Sequence, residues 1–192
     1  MSPEKVLEIF HKTGALLEGH FVLTSGYHSP HYFQCAKVLQ YPVYNTLFAK
    51  EIVKHFKNFD INVVISPAVG GIVLATEIGR LLKARTIFAE RENNKMTLRR
   101  GFEIYKNENV LICEDVVTTG SSVFEIIEIV KQKKARIVGV GFIIDRSGGK
   151  VNFGVEQLSL AKVEVEKYPP DNIPEWLSKI PVTKPGSRNL NR

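Results

Sequence analysis

Residues 110–122, VLICEDVVTTGSS, constrain the possible folds of this chain more than any other segment. The segment begins with an apolar run, which is typical of a β-strand covered on both faces. Two carboxylates follow, Glu114 and Asp115, and after them comes a turn rich in hydroxyl groups. Apolar residues spaced three and four apart then predict a helix. We therefore expect a strand, a loop and a helix, with the loop at the carboxyl end of the strand.

The loop at residues 118–122 has the groups that bind a phosphate monoester. Several hydroxyls and a run of backbone N–H groups lie where the helix begins, and Gly120 lets the backbone approach a ligand closely. The two preceding acids suit the adjacent hydroxyls of a sugar, because carboxylates accept hydrogen bonds. The combination predicts a site for ribose 5-phosphate. An ordinary loop with Ser121 or Ser122 as the helix N-cap is the simpler alternative, but it leaves the two acids unexplained.

This block resembles the phosphoribosyl diphosphate signature of the type I phosphoribosyltransferases, which has an apolar strand, two acids, two apolar residues and a Thr/Gly/Ser turn. The resemblance implies that the whole block binds phosphoribosyl diphosphate. It also implies Mg²⁺ as the cofactor, held through substrate oxygens and water rather than by direct protein ligands, with a water link to Asp115. The residues of the block are Glu114, Asp115, Val116, Val117, Thr118, Thr119, Gly120, Ser121 and Ser122.

Predicted strands and helices alternate through the middle of the chain. Strands are expected at residues 63–65, 86–90 and 137–144 as well as at the start of the signature, with helical patterns between them. This alternation predicts an α/β fold with a central parallel sheet flanked by helices. The resemblance implies the type I phosphoribosyltransferase fold, in which segments from the two ends of the chain form a small hood.

We expect the whole chain to form a single phosphoribosyltransferase domain. The core is predicted at about residues 43–150. The hood combines about residues 1–40 with about residues 155–180, where short strands are expected to return to it. The remaining residues, 181–192, are predicted to form a flexible tail.

The N-terminal segment at residues 19–36 resembles the orotate-binding hood of the orotate phosphoribosyltransferases, in which a strand and an SG turn precede an S-P-x-[YF]-F run. The resemblance implies that backbone groups near Tyr32 and Phe33 contact the edge of orotate. Many members carry a lysine just before the SG turn, and this chain has Thr24 there. The matching residues are Ser25, Gly26, Ser29, Pro30, Tyr32 and Phe33.

Two further segments of this chain resemble functional segments of the phosphoribosyltransferases. Val69, Gly70 and Gly71 lie in a second strand–loop–helix unit that resembles the diphosphate-binding turn, although Val69 and Gly70 replace a common tyrosine and lysine. A tight turn without a ligand is the alternative for this unit.

The basic segment at residues 91–101 resembles the mobile catalytic loop, which in the family closes over the active site of a neighbouring subunit. Glu92 and Thr97 replace the usual lysine and histidine, and a solvated hairpin is the alternative. The expected catalytic cations are Arg91, Lys95, Arg99 and Arg100.

The last strong strand ends in Asp145 and Arg146. In the family an Asp-Arg pair at this place holds the substrate carboxylate, and a guanidinium is the natural bidentate partner of a carboxylate. We expect Arg146 and Thr118 to fix orotate, because ligands of open parallel sheets bind at the carboxyl ends of the strands. A surface salt bridge is the alternative. The implied reaction joins orotate to phosphoribosyl diphosphate, and the expected assembly is a homodimer.

Composition limits the other possibilities. The net charge of +6 is compatible with nucleic acid, but a small polyanionic substrate explains it equally well, so we do not expect nucleic acid as a partner. Cys35 and Cys113 form no zinc or disulfide pattern. His20, His28 and His31 are predicted to be solvated loop residues rather than metal ligands. No apolar run approaches membrane-spanning length, so a cytoplasmic protein without a membrane partner is expected.

Two other functions remain open at this point. A related transferase could use a purine base or uracil instead of orotate, although Arg146 favours an anionic base. Some proteins of this fold are RNA-binding regulators, and the positive charge is compatible with that role.

Overall fold

The computed structural model describes residues 1–23 and 25–183. Thr24 and most of the predicted tail, residues 184–192, lie outside the described residues. The strands are β1 (Leu16–Val22), β2 (His28–Phe33), β3 (Val63–Pro67), β4 (Arg85–Glu92), β5 (Lys95–Leu98), β6 (Asn109–Val117), β7 (Arg136–Asp145), β8 (Gln157–Lys162) and β9 (Val182–Thr183). The helices are α1 (Pro3–Lys12), α2 (Ala36–Leu39), α3 (Pro42–Phe56), α4 (Gly70–Leu82), α5 (Ser121–Gln132) and α6 (Glu175–Ser178).

The central sheet has six strands in the order β5-β4-β3-β6-β7-β8. Neighbouring strands are parallel throughout, except for the antiparallel pair of β4 and β5. The predicted central parallel sheet is therefore present, with one antiparallel edge strand. Strand β6, which carries the two acids, lies between β3 and β7, so its carboxyl end is in the middle of the sheet.

Helices cover both faces of this sheet, as the alternating pattern predicts. Helices α1, α3 and α4 contribute to one buried cluster together with Leu111 and Cys113 of β6. Helix α5 contributes to a second cluster together with Val110 and Ile112. Successive side chains of a strand point to opposite faces, so the continuous apolar run of β6 serves both cores. Leu47 of α3 is 36% exposed and therefore lies outside this buried cluster.

The hood is a small separate sheet in which β1 lies between β2 and β9. Two predictions about the C-terminal part were wrong. The segment that contains Leu158 and Leu160 does not return to the hood, because β8 pairs with β7 and extends the central sheet. The predicted tail begins later than expected, because Val182 and Thr183 pair with β1 as strand β9. The short helix α6, which contains Trp176, precedes β9.

The basic segment at residues 91–101 is partly ordered as a hairpin rather than as an irregular loop. Strands β4 and β5 pair directly, and Asn93 and Asn94 between them have φ values of 50° and 62°. Two consecutive residues with positive φ are typical of a tight two-residue hairpin turn, and asparagine adopts this conformation more readily than most residues do.

Along residues 1–23 and 25–183, no helix combines the length and the apolar character that a membrane span requires.

Candidate active site

The predicted phosphate loop joins β6 to α5 and lines a cavity. The strand continues through both acids to Val117, and α5 begins at Ser121. The cavity is small and open to solvent, with a volume of about 40 Å³. Its lining consists of Glu114, Val116, Val117, Thr118, Thr119, Gly120, Ser121, Ser122 and Val123. One of the two acids therefore shares a cavity with the whole hydroxyl-rich turn.

Gly120 shapes this loop, and neither serine acts as the helix cap. Gly120 is the N-cap residue of α5, with φ at 74°, and it has no side chain with which to cap the helix. A Cβ atom at Gly120 would lie 2.8 Å from the Phe153 ring and 2.9 Å from Val151, so glycine is needed for space as well as for conformation. The alternative in which Ser121 or Ser122 is an ordinary N-cap is therefore wrong. The N–H of Ser121 donates instead to the Thr119 hydroxyl at 3.4 Å.

The two acids lie between the phosphate loop and the second strand–loop–helix unit. A Cβ atom at Gly70 would lie 2.9 Å from Cγ of Asp115, and one at Gly71 would lie 3.1 Å from Oε1 of Glu114. Both distances are shorter than an ordinary Cβ contact, so the two glycines permit the turn to approach the acids closely. The predicted diphosphate turn and the predicted phosphate loop thus flank the same pair of carboxylates. Val69, at the tip of the turn, is 80% exposed, and the Ala68–Val69 peptide bond is cis.

Burial sets the electrostatics of the acid pair. Burial raises the pKa of Asp115, and a hydrogen bond shared with the Glu114 side chain, together with bonds from backbone N–H groups, opposes that rise. The N–H of Val116 donates to Oδ1 of Asp115 at 2.8 Å, and the N–H of Asp115 donates to Oε1 of Glu114 at 3.0 Å. These contacts fix the orientation of both carboxylates before any ligand arrives.

Arg146 is buried beside the hood instead of forming a surface salt bridge. Only 8% of the residue is exposed, and its Nε has no hydrogen-bond partner among the described residues. Its guanidinium carbon lies 5.9 Å from the centre of the Phe33 ring. Burial lowers the pKa of Arg146, and the nearby Tyr32 and Cys35 oppose this effect. The predicted orotate-contacting residues Arg146, Tyr32 and Phe33 are thus near one another.

Asp145 does not pair with the neighbouring arginine. Its Oδ1 accepts hydrogen bonds from the Ser147 N–H at 2.8 Å and from the Ser147 hydroxyl at 2.6 Å. The Ser147 hydroxyl in turn accepts from the N–H groups of Lys150 and Val151. The aspartate therefore stabilises the turn that presents Arg146.

The four predicted loop cations do not line the cavity. Three of them pair with acids of their own chain: Arg91 with Glu125, Arg99 with Glu92, and Arg100 with Glu90. For Lys95, no ion-pair partner occurs among residues 1–23 and 25–183.

The sequence interpretation missed two buried residues next to the acids. Ser66 is fully buried near the end of β3, and its hydroxyl has no hydrogen-bond partner among the described residues. A Cβ atom added at Gly71 would lie 2.9 Å from the Cβ atom of Ser66. Cys35 is 2% exposed; burial raises the pKa of its thiol, and the carboxylates of Asp115 and Glu114 raise it further. The spacing of residues along the chain carries no signal for either contact.

The prediction of loop histidines was wrong, because His20 lies on β1 and His28 and His31 lie on β2; the largest departure from a solvated residue is at His20. This residue is 3% exposed, its Nε2 lies 2.6 Å from Nδ1 of His28, and its Nδ1 lies 2.9 Å from the Ile180 carbonyl oxygen. Both histidines belong to the hood sheet. Within the described part of the chain, no group of three or more His, Cys, Asp or Glu side chains could hold a metal ion.

Comparisons with known proteins give the family. A family model described as phosphoribosyl transferase domain matches residues 45–153. The orotate phosphoribosyltransferase of Thermoanaerobacter sp. is 54% identical over 190 residues, which is 99% of this chain and 100% of that protein. The orotate phosphoribosyltransferase of Caldanaerobacter subterraneus subsp. tengcongensis is 52% identical over 190 residues, again 99% of this chain and 100% of that protein.

The fold agrees with this sequence similarity. The crystal structure of orotate phosphoribosyltransferase from Aeropyrum pernix has a TM-score of 0.70 at 23% identity, over 83% of this chain and 94% of that chain. At this identity the likeness concerns the fold alone, and it confirms the predicted fold class. The chain belongs to the orotate phosphoribosyltransferase family, within the larger group of proteins that carry a phosphoribosyl transferase domain.

Proposed function

We propose that this protein is an enzyme that transfers the 5-phosphoribosyl group from phosphoribosyl diphosphate to orotate. The products are orotidine 5′-phosphate and diphosphate, and the step belongs to the synthesis of UMP. The observation that carries the proposal is the placement of Glu114 and Asp115 between two glycine-containing turns at the carboxyl ends of adjacent strands. The names of relatives that are 52% and 54% identical over nearly the whole chain support the same reaction.

In this proposal the phosphate loop binds the 5-phosphate of the substrate. The N–H groups at the start of α5 carry the positive end of the helix dipole, and the hydroxyls of Thr118, Thr119, Ser121 and Ser122 can donate to phosphate oxygens. Thr119 and Ser121 are already in contact, with 3.3 Å between their hydroxyl oxygens. A preformed set of donors of this kind loses little conformational entropy when the ligand binds.

The acid pair acts on the ribose. The two carboxylates accept hydrogen bonds from the ribose hydroxyls, and their negative field stabilises positive charge that develops on the sugar as the bond from C1 to diphosphate breaks. N1 of orotate then forms the new bond to C1 and gives up its proton to the departing diphosphate, which also takes the electron pair of the broken bond. No covalent enzyme intermediate is required, so the protein contributes binding, orientation and electrostatics.

The leaving diphosphate lies, in this proposal, against the turn at Val69, Gly70 and Gly71. The N–H groups at the start of α4 face that position, and the absence of side chains at the glycines leaves room for the diphosphate. Lys95 is the hairpin cation that no described acid neutralises, so it can meet the leaving group without first breaking an ion pair. Arg91, Arg99 and Arg100 must exchange their present carboxylate partners for diphosphate.

The residues present fit Mg²⁺ as the metal of the reaction. The buried groups beside the turn are carboxylates, Mg²⁺ prefers oxygen ligands, and it commonly keeps several waters while binding substrate phosphates. Asp115 would hold the ion through water. When bound, the metal would neutralise diphosphate charge.

Arg146 would hold the orotate carboxylate. A buried guanidinium with an unpaired Nε costs free energy unless a ligand satisfies it. A carboxylate does so with two parallel hydrogen bonds, whereas uracil and purines carry no such anion. Tyr32 and Phe33 would cover the flat ring, and Thr118 would contact it from the phosphate loop.

An exposed apolar surface supports the homodimer that the family resemblance implies. Val43 and Leu47 lie one turn apart on α3, and Val69 and Val73 lie at the start of α4. Their exposed fractions are 70%, 36%, 80% and 48%, and the side chain of Asn45 donates to the Val73 carbonyl, which joins the two helices. Apolar patches of this kind mark protein–protein interfaces. Because Val69 belongs to the diphosphate turn, a second copy here would lie beside the active site.

The assembly can be tested by sedimentation of the double variant Val43→Glu with Val73→Glu. A dimeric wild type and a monomeric variant would support this interface. A variant that remains dimeric would exclude it.

We also expect the enzyme in the cytoplasm, because its polyanionic substrates do not cross a lipid bilayer unaided.

Diphosphate release by the purified protein tests the reaction. We expect release with orotate, phosphoribosyl diphosphate and Mg²⁺ together, and none when orotate is replaced by uracil, adenine or hypoxanthine. Release with one of those bases instead would overturn the assignment of orotate. A gel-shift with RNA at physiological salt, run beside this assay, tests the RNA-binding alternative.

A further inference from the structure

The segment that follows Arg146 forms a wall behind the phosphate loop. A Cβ atom at Gly120 would lie 2.8 Å from Cε1 of Phe153 and 2.9 Å from Cγ1 of Val151, so the turn packs directly on these two side chains. Phe153 is 6% exposed, and its ring centre lies 5.0 Å from that of Phe124 on α5. Because packing this close transmits strain, a shift of the wall would displace the loop.

One glutamine holds this wall on the central sheet. Gln157 is the first residue of β8, where it lies in register with Val140 of β7. Its Oε1 accepts a hydrogen bond from the Phe153 N–H at 2.9 Å, and its Nε2 donates to the Val151 carbonyl at 3.0 Å. The two partners fix the orientation of the amide, since an N–H requires an acceptor and a carbonyl requires a donor. Gln157 therefore gives residues 151–153, which belong to no strand, the partners that a neighbouring strand would provide.

One serine holds the other end of the same segment. The Ser147 hydroxyl donates to Oδ1 of Asp145 at 2.6 Å and accepts from the N–H groups of Lys150 and Val151 at 3.1 and 3.2 Å. Asp145 is 2% exposed and ends β7, so the hydroxyl is anchored to a buried carboxyl group of the sheet. Removal of this hydroxyl would release three contacts at once, on both sides of the turn that begins with Arg146.

Arg146 joins the segment to the start of the phosphate loop. Its backbone N–H donates to the Val117 carbonyl at 2.8 Å, immediately before that loop begins. Residues 146–153, which we call the brace, therefore contact the loop at its start and again at Gly120. The spacing between the buried guanidinium and the hydroxyl-rich turn is thus set by one short segment, which Ser147 and Gln157 hold in place.

We propose that Ser147 and Gln157 are positioning residues for the transfer reaction. Ser147 places Arg146 for the orotate carboxylate, and Gln157 places the wall behind the turn that binds the 5-phosphate. The inference rests on the proposed function, because that function assigns a ligand to each of the two places. The brace keeps the two substrates at a fixed separation, and catalysis is sensitive to such placement, since an error of about 1 Å can cost roughly a hundredfold in rate.

The variants Ser147→Ala and Gln157→Met of the full-length protein test the two halves of the proposal against each other. Alanine removes the hydroxyl, and methionine keeps the length of glutamine without its amide. We expect Ser147→Ala to raise KM for orotate by roughly tenfold and KM for phosphoribosyl diphosphate by less, because Arg146 is the group that it releases. Gln157→Met should show the opposite pattern. Unchanged KM values in either variant, or the same pattern in both, would overturn the proposal.

Two matched controls make the same chemical changes away from the brace. Ser178→Ala removes a hydroxyl that donates to the Glu175 carbonyl within α6, and Gln132→Met removes an exposed amide at the far end of α5. Neither side chain has a described hydrogen bond to the brace, so both variants should keep wild-type KM values. Equal losses in a control and its test variant would indicate a general effect on the fold and would overturn the proposal.

A conservative variant separates the hydroxyl from the shape of the side chain. Ser147→Thr retains the hydroxyl and should keep KM for orotate close to the wild-type value, with the fold of each variant verified by circular dichroism. A rise in KM equal to that of Ser147→Ala would contradict the role given to the hydroxyl.

Amide hydrogen exchange tests the brace without any substrate. Exchange should be faster at the Lys150 and Val151 N–H groups in Ser147→Ala, and at the Phe153 N–H in Gln157→Met, than in wild type. Rates equal to those of wild type would refute the proposal. If the wild-type protein releases no diphosphate with orotate, the proposed function fails, and the exchange rates still report whether these two side chains hold the brace.

Discussion

Replacing Gly70 by alanine tests whether the acids and the diphosphate turn form one site. A Cβ atom at this position would lie 2.9 Å from Cγ and 3.0 Å from Oδ1 of Asp115, with the other carboxylate oxygen closer still. Ordinary contact begins at 3.4 Å, so the carboxylate must move by at least several tenths of an ångström. Alanine also favours the helix by up to about 1 kcal/mol over glycine, so the fold itself should not be weakened through helix propensity.

We therefore expect Gly70→Ala to lower kcat/KM by roughly tenfold to a hundredfold with little change in the thermal unfolding midpoint. The assay is diphosphate release at saturating Mg²⁺, with circular dichroism to verify folding. Thr76→Ala serves as the control, because Thr76 is exposed on the same helix and its hydroxyl bonds only the Ile72 carbonyl. On an Asp115→Ala background, Gly70→Ala should add no further loss, since the collision is gone. Wild-type kcat/KM in Gly70→Ala would refute the reasoning.

The remaining predictions concern charge. Burial raises the pKa of Asp115, so the ionised carboxylate destabilises the fold above that pKa. Asp115→Asn should therefore raise the thermal unfolding midpoint at neutral pH, and this gain over wild type should disappear as the pH falls below the pKa. The same variant should have a lower kcat. Arg146→Met should lower kcat/KM for orotate by roughly a hundredfold without loss of stability, because a buried, incompletely paired charge is replaced by an apolar side chain. Hydrogen bonds from Arg80 and Thr46 lower the pKa of Glu77 to about 2. Glu77→Gln should therefore lower the thermal unfolding midpoint at neutral pH. The difference from wild type should shrink as the pH falls from 4.5 toward 2, because Glu77 becomes protonated over that range. A pH-independent difference in either acid variant would contradict the linkage.

Local patterns predicted the elements of the core well and their assignment to sheets less well. The run from Val110 to Cys113 is apolar because both faces of β6 are covered, and this is readable from the chain. Strand β8 has the same local appearance whether it joins the hood or the central sheet. Its pairing with β7 is decided by which strand edge is available, and sequence periodicity contains no information about that edge.

The basic segment at residues 91–101 shows a similar limit. The charges of the segment predicted a catalytic loop. The two asparagines form a tight hairpin turn, which is hard to recognise in a segment that is polar throughout. Which cation remains without a partner depends on acids brought close by pairing and packing: Glu90 and Glu92 across the hairpin, and Glu125 from a helix much later in the chain. The sequence named four equivalent cations, and only the folded structure distinguishes Lys95 from the others.

The sequence by itself predicted the fold class, which is confirmed, and the chemistry of the candidate site, because strand periodicity, the acid pair and the hydroxyl-rich turn are all local features of one short segment. Tertiary structure alone decided that Gly70 touches Asp115, that Ser66 and Cys35 lie beside the acids, and that Glu125 holds Arg91. These contacts join residues that are distant along the chain, and they exist only after parallel strands bring their carboxyl ends to one edge of the sheet.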